Sequence, residues 1–389
     1  MPDPADLAGL VETIAPQAIE LRRRLHEHPE PAHREVATTQ LIRAALESEG
    51  ITFHDRGPKT GGWADVGGST PVFGFRCDLD ALPILEPADN RPRSRSDGWM
   101  HACGHDAHMA IAVGIAIALK RMGRDDGVRF VFQPGEEANP GGAVELVAEG
   151  LVDGLDGLIA FHVDPTLRVG RIGARVGAIT GSADSVTIVV HGPGGHTSRP
   201  HRTVDLVDAA GRVVTELPTA IRRSIDARTA VVCAFGSIHG GDAANVIPTE
   251  VVVKGTVRTL DPGLWDVLPG LMDKSLGSIL ALSGAGYTLD YQQGIPPVVN
   301  DNRIVAIASA ALESEMGDGT VVPTQQSMGG EDFSNYLAVV PGALLRLGTA
   351  SGGGDIHSAG FKLNEAAIPF GIRAGLTTLL ALSEARELH

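Results

Sequence analysis

Apolar residues recur at helical spacing from the start of the chain, at Leu7, Leu10, Val11, Ile14, Ile19, Leu21 and Leu25. This predicts a helix over 4–27 and, after His28-Pro29-Glu30-Pro31, a second over 32–48. The period then shortens. Strands are expected at 51–54 and 62–66, followed by a near-continuous apolar run, Pro71-Val72-Phe73-Gly74-Phe75-Arg76-Cys77-Asp78, that ends in charge. Runs of this kind suit parallel strands buried on both faces. Two more follow, at 128–133 and 158–161, with helices expected at 106–121 and 141–149 between them. Alternation of strand and helix predicts a three-layer α/β domain around a mostly parallel sheet.

From about residue 180 the order becomes strand 185–191, helix 204–217, strands 229–238 and 246–260, helix 263–282, strand 287–293. That βαββαβ order is the ferredoxin-like α+β arrangement. The α/β pattern then resumes with a helix near 301–316, a strand at 343–347, a loop carrying His357 and a last helix over 364–386. The expected organisation is a catalytic α/β domain formed by 1–181 and 294–389, with 182–293 inserted as a second domain. A length of 389 residues is itself long for one core.

Composition narrows the partners. Thirty-two basic against 47 acidic residues leave a net charge of −15, which argues against nucleic acid or an anionic membrane. The longest apolar run, 111–119, is too short to span a bilayer. The opening stretch lacks the basic start and apolar core of a signal peptide. Three cysteines are too few for a disulfide framework and suit a reducing compartment, so a cytoplasmic location is expected.

Polar groups gather where the apolar runs stop: Asp78 and Asp80, Glu136 and Glu137, and His162. Ligands of α/β sheets bind beyond the carboxyl ends of the strands, so these positions converge on one edge. Met100-His101-Ala102-Cys103-Gly104-His105-Asp106-Ala107-His108 adds a thiol and three imidazoles. Cys103 and His105, two apart, would share one side of an extended chain, and Gly104 would allow close approach to an ion. Alone, the stretch reads equally well as a core cysteine among helix-capping neighbours. Together with the strand ends it yields five ligand-type residues, Cys103, His105, Glu137, His162 and His357. Catalytic zinc takes three protein ligands, so five with Cys103 bridging would serve two ions. A metal lowers the pKa of bound water towards about 7, which implies hydrolysis. Glu136 and Glu137, read as extended neighbours, point apart, so Glu136 is the candidate general base and acid while Glu137 ligates; a solvated acidic turn is the plain alternative. Asp80 is placed to orient a ligating imidazole. His26, His28, His33, His54, His191, His201 and His239 read as surface or packing residues, and His101 and His108 are left ambiguous.

The chain resembles the metal-dependent N-acyl-amino-acid amidohydrolases, which include hippurate hydrolase, aminoacylases and the indole-acetyl-amino-acid hydrolases, relatives of the co-catalytic metal carboxypeptidases. The motifs are LRRRLHEHPE at 21–30, FRCDLDALPI at 75–84, MHACGHDAH at 100–108, FQPGEE at 132–137, FHVDP at 161–165, GGHTSRPH at 194–201, NVIP at 245–248, GTVRT at 255–259, MGGEDFS at 328–334 and IHSAGF at 356–361. The resemblance implies two divalent ions on Cys103, His105, Glu137, His162 and His357, with Glu136 as base and acid. It implies that the inserted domain is a lid that dimerises the chain. His196 would stabilise an oxyanion in the neighbouring subunit's site, and Asn245 and Arg258 would grip a substrate carboxylate. The family's Asp-x-x-Pro aspartate falls on Asp80. The carboxypeptidases' ligating histidine is replaced by Asp78, whose role the resemblance leaves open. The segment 86–95, with arginines at 91, 93 and 95, departs from the family and reads as a surface loop.

The reading is therefore a homodimeric hydrolase of N-acetyl, N-benzoyl or indole-acetyl amino acids carrying two manganese, zinc, nickel or cobalt ions. Three rivals stand beside it: a dipeptidase or carboxypeptidase on the same centre, a non-catalytic metal- or ligand-binding protein, and an enzyme using Cys103 as covalent nucleophile.

Overall fold

A computed structural model describes residues 4–387 apart from 69 and 126; the first three residues of the acidic opening stretch lie outside the described residues. Two compact units divide the chain. One comprises Met1–Gly177, Val299–Gln325 and Asp332–His389, the other Ala178–Val298 and Gln326–Glu331.

The first unit is built on an eight-stranded sheet in the order His54–Arg56, Lys59–Val66, Val128–Gln133, Phe73–Asp78, Gly157–Asp164, Gly342–Gly348, Ile172–Ala174, Val321–Pro323. The four apolar runs at its centre are parallel. Lys59–Val66 and Ile172–Ala174 join this centre antiparallel, so the sheet is mixed. All six residues of Phe73–Asp78 are buried, as a strand covered on both faces requires. Register levels Asp78 with Gln133 and pairs Arg346 with His162, which brings the polar ends of three strands to one edge.

Helix His105–Met122 is buried from His105 through Leu119 and packs beside the first helix, Pro4–Glu27, and the last, Ala367–Glu387. A helix apolar on every side belongs in the middle of its layer. Its start is anchored by charge. His26, which the sequence suggests as a surface or packing residue, is buried between Glu86 Oε1 at 2.9 Å and Asp106 Oδ2 at 2.8 Å. Arg22 Nε lies 2.7 Å from the same Asp106 oxygen. Glu86 also accepts Asn90 Nδ2 at 2.9 Å and Ser94 N at 2.6 Å, so the arginine-bearing loop is pinned at its base.

The second unit has one four-stranded antiparallel sheet ordered Val231–His239, Glu250–Thr259, Ala183–His191, Gly286–Ile295. Alternating residues Val186, Ile188 and Val190 share one buried face of the sheet with Val251, Val253 and Val257 and pack against helices Leu206–Arg223 and Pro262–Leu280. Each fully buried aliphatic side chain there contributes about 1.5–3 kcal/mol. Asp205 and Asp261 cap the two helices through Asp208 N and Leu264 N. Residues 326–331 belong to this unit because Gly181 N donates to Ser327 O and Ser327 N to Ile179 O. Among the described residues no helix is long and apolar enough to cross a membrane.

Candidate metal centre

Cys103 and His105 do not lie on extended chain. Gly104 sits in the left-handed region at φ 78° and caps the helix that begins at His105, so a tight turn rather than a strand turns the two side chains to one point. An added Cβ on Gly104 would stand 2.7 Å from Val163 Cγ2, so the glycine serves a close approach to Val163. Glu136 and Glu137 also occupy a turn rather than a strand. Gly135, at φ 62°, starts it. Asp80 closes it, its Oδ1 accepting Glu136 N at 3.0 Å and its Oδ2 accepting Glu137 N at 2.9 Å. Both glutamates therefore reach the same ring: Glu136 Oε2 and Glu137 Oε1 are each 4.0 Å from His105 Nε2.

The remaining donors close the cluster. Cys103 Sγ lies 3.4 Å from His162 Nε2 and 3.3 Å from His357 Nε2. His357 Nε2 is 3.0 Å from Glu137 Oε1. The loop holding His357 is tied down by His357 N donating to Ala102 O at 2.8 Å. The residue itself has φ 60°, a strained conformation of the kind found at functional positions. Ligand atoms of Cys103, His105 and Glu137 all lie within 4.8 Å of one another.

These spacings suit metal ions. Two donors on one tetrahedral ion, at the usual zinc–sulfur and zinc–nitrogen lengths, stand roughly 3.5 Å apart. His105 donates through Nδ1 to Asp80 O at 2.8 Å, leaving Nε2 to present its lone pair, and that buried atom has no hydrogen-bond partner. Glu137 Oε1, likewise buried, has no hydrogen-bond partner and lies 3.0 Å from His357 Nε2 and 4.0 Å from His105 Nε2. Without a cation, the contacts with Cys103 and then Glu137 raise His357 to about 10. Burial lowers His105, yet Asp78 and Cys103 outweigh it and raise it well above the ordinary range. Burial pushes the Cys103 thiol up, which works against an unassisted thiolate nucleophile. The donor set thus draws positive charge inward, as a site for divalent cations does.

Sequence reasoning missed the scaffold beneath. Glu35 is fully buried and accepts Gly135 N at 2.8 Å, His33 N at 2.9 Å and Thr60 Oγ1 at 2.6 Å, clamping the turn that carries the two glutamates. Arg76 donates to Asp78 Oδ2 at 2.8 Å, Gln133 Oε1 at 2.8 Å and Asp332 Oδ1 at 2.9 Å. A lone arginine inside an apolar strand was the available signal, because a buried charge requires partners. His101 is buried and pushed down to about 4, hence neutral near pH 7.

In the second unit, strands Gly195–His196 and Val246–Ile247 pair, with Val246 opposite His196, and Thr197 N donates to Asn245 O at 3.1 Å. His196 and Asn245 are exposed at this two-stranded sheet, and Arg258 Nη1 donates to Met328 O at 2.8 Å.

A provisionally named glutamate–cysteine ligase 2-3 of Rhodococcus jostii is 42% identical over 373 residues, covering 95% of this chain and 46% of that protein. The chain thus spans about half the length of that relative. An N-acyl-L-amino acid amidohydrolase of Geobacillus stearothermophilus is 37% identical over 300 residues, 76% of this chain and 81% of that protein. A solved Bacillus subtilis structure, described as a dinuclear metal-binding peptidase of the M20 family, superposes with a TM-score of 0.85 at 33% identity, covering 96% and 99% of the two chains. The family model described as peptidase family M20/M25/M40 matches residues 74–381, and the chain belongs to that family.

Proposed function

We propose that this chain hydrolyses the amide bond of N-acyl amino acids, releasing a carboxylic acid and a free amino acid, with two divalent ions at the centre. The observation that carries this reading is the turn of Glu136 and Glu137: Asp80 holds both amides, so one carboxylate joins the donor cluster while the other stands beside it. Cys103, His105, Glu137, His162 and His357 would together hold the two ions. When bound, such ions polarise a carbonyl and lower the pKa of water towards about 7. Manganese, zinc, nickel and cobalt all suit a thiolate, imidazole and carboxylate set.

Glu136 is the proton carrier. Its carboxylate takes a proton from water as the new carbon–oxygen bond forms and returns it to the nitrogen as the carbon–nitrogen bond breaks. His196 donates to the developing oxyanion from a partner subunit, and Asn245 and Arg258 grip the substrate carboxylate, for which a guanidinium fork is suited. The second unit is then both lid and dimer contact. Three unpaired cysteines are consistent with a reducing, cytoplasmic setting.

A dipeptidase or carboxypeptidase is the second reading, favoured by the peptidase description of the Bacillus subtilis structure. A panel of N-acetyl, N-benzoyl and indole-acetyl amino acids beside unblocked dipeptides separates the two. On the favoured acylated substrate Glu136→Gln should lose about 10²–10⁴-fold in turnover, the usual contribution of a general base, while elemental analysis shows wild-type metal content. Near wild-type turnover in that variant would remove Glu136 from the mechanism, and exclusive cleavage of unblocked dipeptides would establish the second reading.

A further inference from the structure

We infer that Asp78 and His108 form a buried relay that sets which ring nitrogen His162 presents to the metal centre, acting through the peptide groups of Val163. The inference rests on the metal-centre reading above and gives Asp78 the role that the resemblance leaves open.

The hydrogen bonds determine the tautomers. Val163 N lies 3.0 Å from His108 Nε2, and an amide N–H can only donate, so His108 Nε2 is the unprotonated nitrogen. The ring proton of His108 is therefore on Nδ1, 2.6 Å from Asp78 Oδ1, which accepts it. Val163 O lies 2.8 Å from His162 Nδ1, and a carbonyl can only accept, so His162 carries its proton on Nδ1. Its Nε2 lone pair is left facing Cys103 Sγ at 3.4 Å. One residue, Val163, thus receives the relay at its N–H and passes it on at its carbonyl. Registered pairing with Phe73–Asp78 ends at Ala160, and beyond that end the Val163 amide is taken by an imidazole instead of a strand.

The far end is equally fixed. Asp78 Oδ2 accepts Arg76 Nη1 at 2.8 Å, and Arg76 Nη2 reaches Asp332 Oδ1 at 2.9 Å. Asp78, His108 and His162 are all buried, and the rings of His108 and His162 lie 5.4 Å apart. Asp78, His105 and His108 come close enough together to suggest a further metal site. Both nitrogens of His108 are already committed, so that trio acts as support and not as ligands. His105 has its own bond from Nδ1 to Asp80 O, although Asp78 Oδ2 stands 3.7 Å from its Nε2 and its ring stacks on His108 at 5.5 Å, so disturbing His108 should weaken binding through His162 most.

The test uses metal-free full-length protein titrated with Zn²⁺ against a chromogenic chelator, together with long-range ¹H–¹⁵N spectra of its histidine rings. Wild type should bind two ions tightly. His108→Phe keeps an aromatic ring and removes both hydrogen bonds; it should retain one tight ion and bind the second about 10–100-fold more weakly, the usual cost of losing support behind a ligand. His108→Gln restores an acceptor for Val163 N and should recover part of that loss, which a purely packing role would not produce. Two ions bound by His108→Phe with wild-type affinity would overturn the relay. So would wild-type spectra showing His162 protonated on Nε2, a result that holds even if His108→Phe does not fold. Wild type binding fewer than two ions would instead overturn the two-metal reading, and the ring spectra would then decide the relay alone.

Discussion

Gly104 meets two demands that no other residue type satisfies together. Its φ of 78° is costly for any side chain, and the space a Cβ would fill belongs to Val163 Cγ2, 2.7 Å away. Gly104→Ala should therefore lose about 1–2 kcal/mol from the left-handed conformation alone. Displacing Val163 would also loosen the peptide that holds His162, so Zn²⁺ affinity should fall with stability. Denaturant unfolding and metal titration of the variant check both effects; a variant with unchanged stability would show that the turn relaxes freely. Identity was legible at this scale. A thiol, imidazoles and carboxylates that gather near the ends of apolar runs stand out by residue type alone. Local conformation was less so, since Cys103–His105 and Glu136–Glu137 were read as extended and both proved to be turns, driven by Gly104, Gly135 and the two amides that Asp80 accepts.

Between elements, charge clusters do the fastening that apolar patterning leaves undone. The hairpin His54–Arg56 and Lys59–Val66 is tied to Glu145, in the middle of helix Gly142–Ala148, and to Glu149, just beyond its end. Arg56 Nε lies 2.7 Å from Glu149 Oε2, its Nη2 2.9 Å from Glu145 Oε2, and Lys59 Nζ 2.9 Å from Glu149 Oε1. Hydrogen bonding to Arg56, then to Lys59, outweighs burial and holds Glu149 at about 2, below its ordinary 4.5. A carboxylate depressed in the folded state stabilises it above the unfolded value and loses that contribution as pH falls through the folded value. The cluster should therefore support the fold fully above about pH 5 and fade towards pH 2. Because these groups are partly exposed the effect is small and screened by salt. Unfolding midpoints from pH 6 to pH 2 should fall less steeply for Glu149→Gln than for wild type, and parallel curves would assign the acid sensitivity elsewhere.

At the scale of the whole molecule, the proposed subunit-spanning site predicts a complementation. His196→Ala and Glu136→Ala should each be inactive as homodimers. Co-refolded with random exchange, half the dimers are mixed and each mixed dimer has one intact composite site, so roughly a quarter of wild-type activity should return. Continued inactivity, with exchange verified by tagged subunits, would return His196 to its own chain. What the sequence alone determined was the kind and order of elements, the chemistry of the donors and the strand edge they occupy. Hydrophobic period records which face each element buries, and a parallel sheet brings its strand ends together whatever the details of packing. The tertiary structure alone decided which ring nitrogens of His105, His108 and His162 are taken up by hydrogen bonds, what orders the glutamate turn and where the buried charges find partners. Those outcomes depend on hydrogen bonds between residues far apart in the chain: Asp80 to His105, Glu35 to Gly135, and Arg76 to Asp332 across 256 positions. No local pattern encodes such a bond, because its energy depends on burial that exists only once the chain has closed around it.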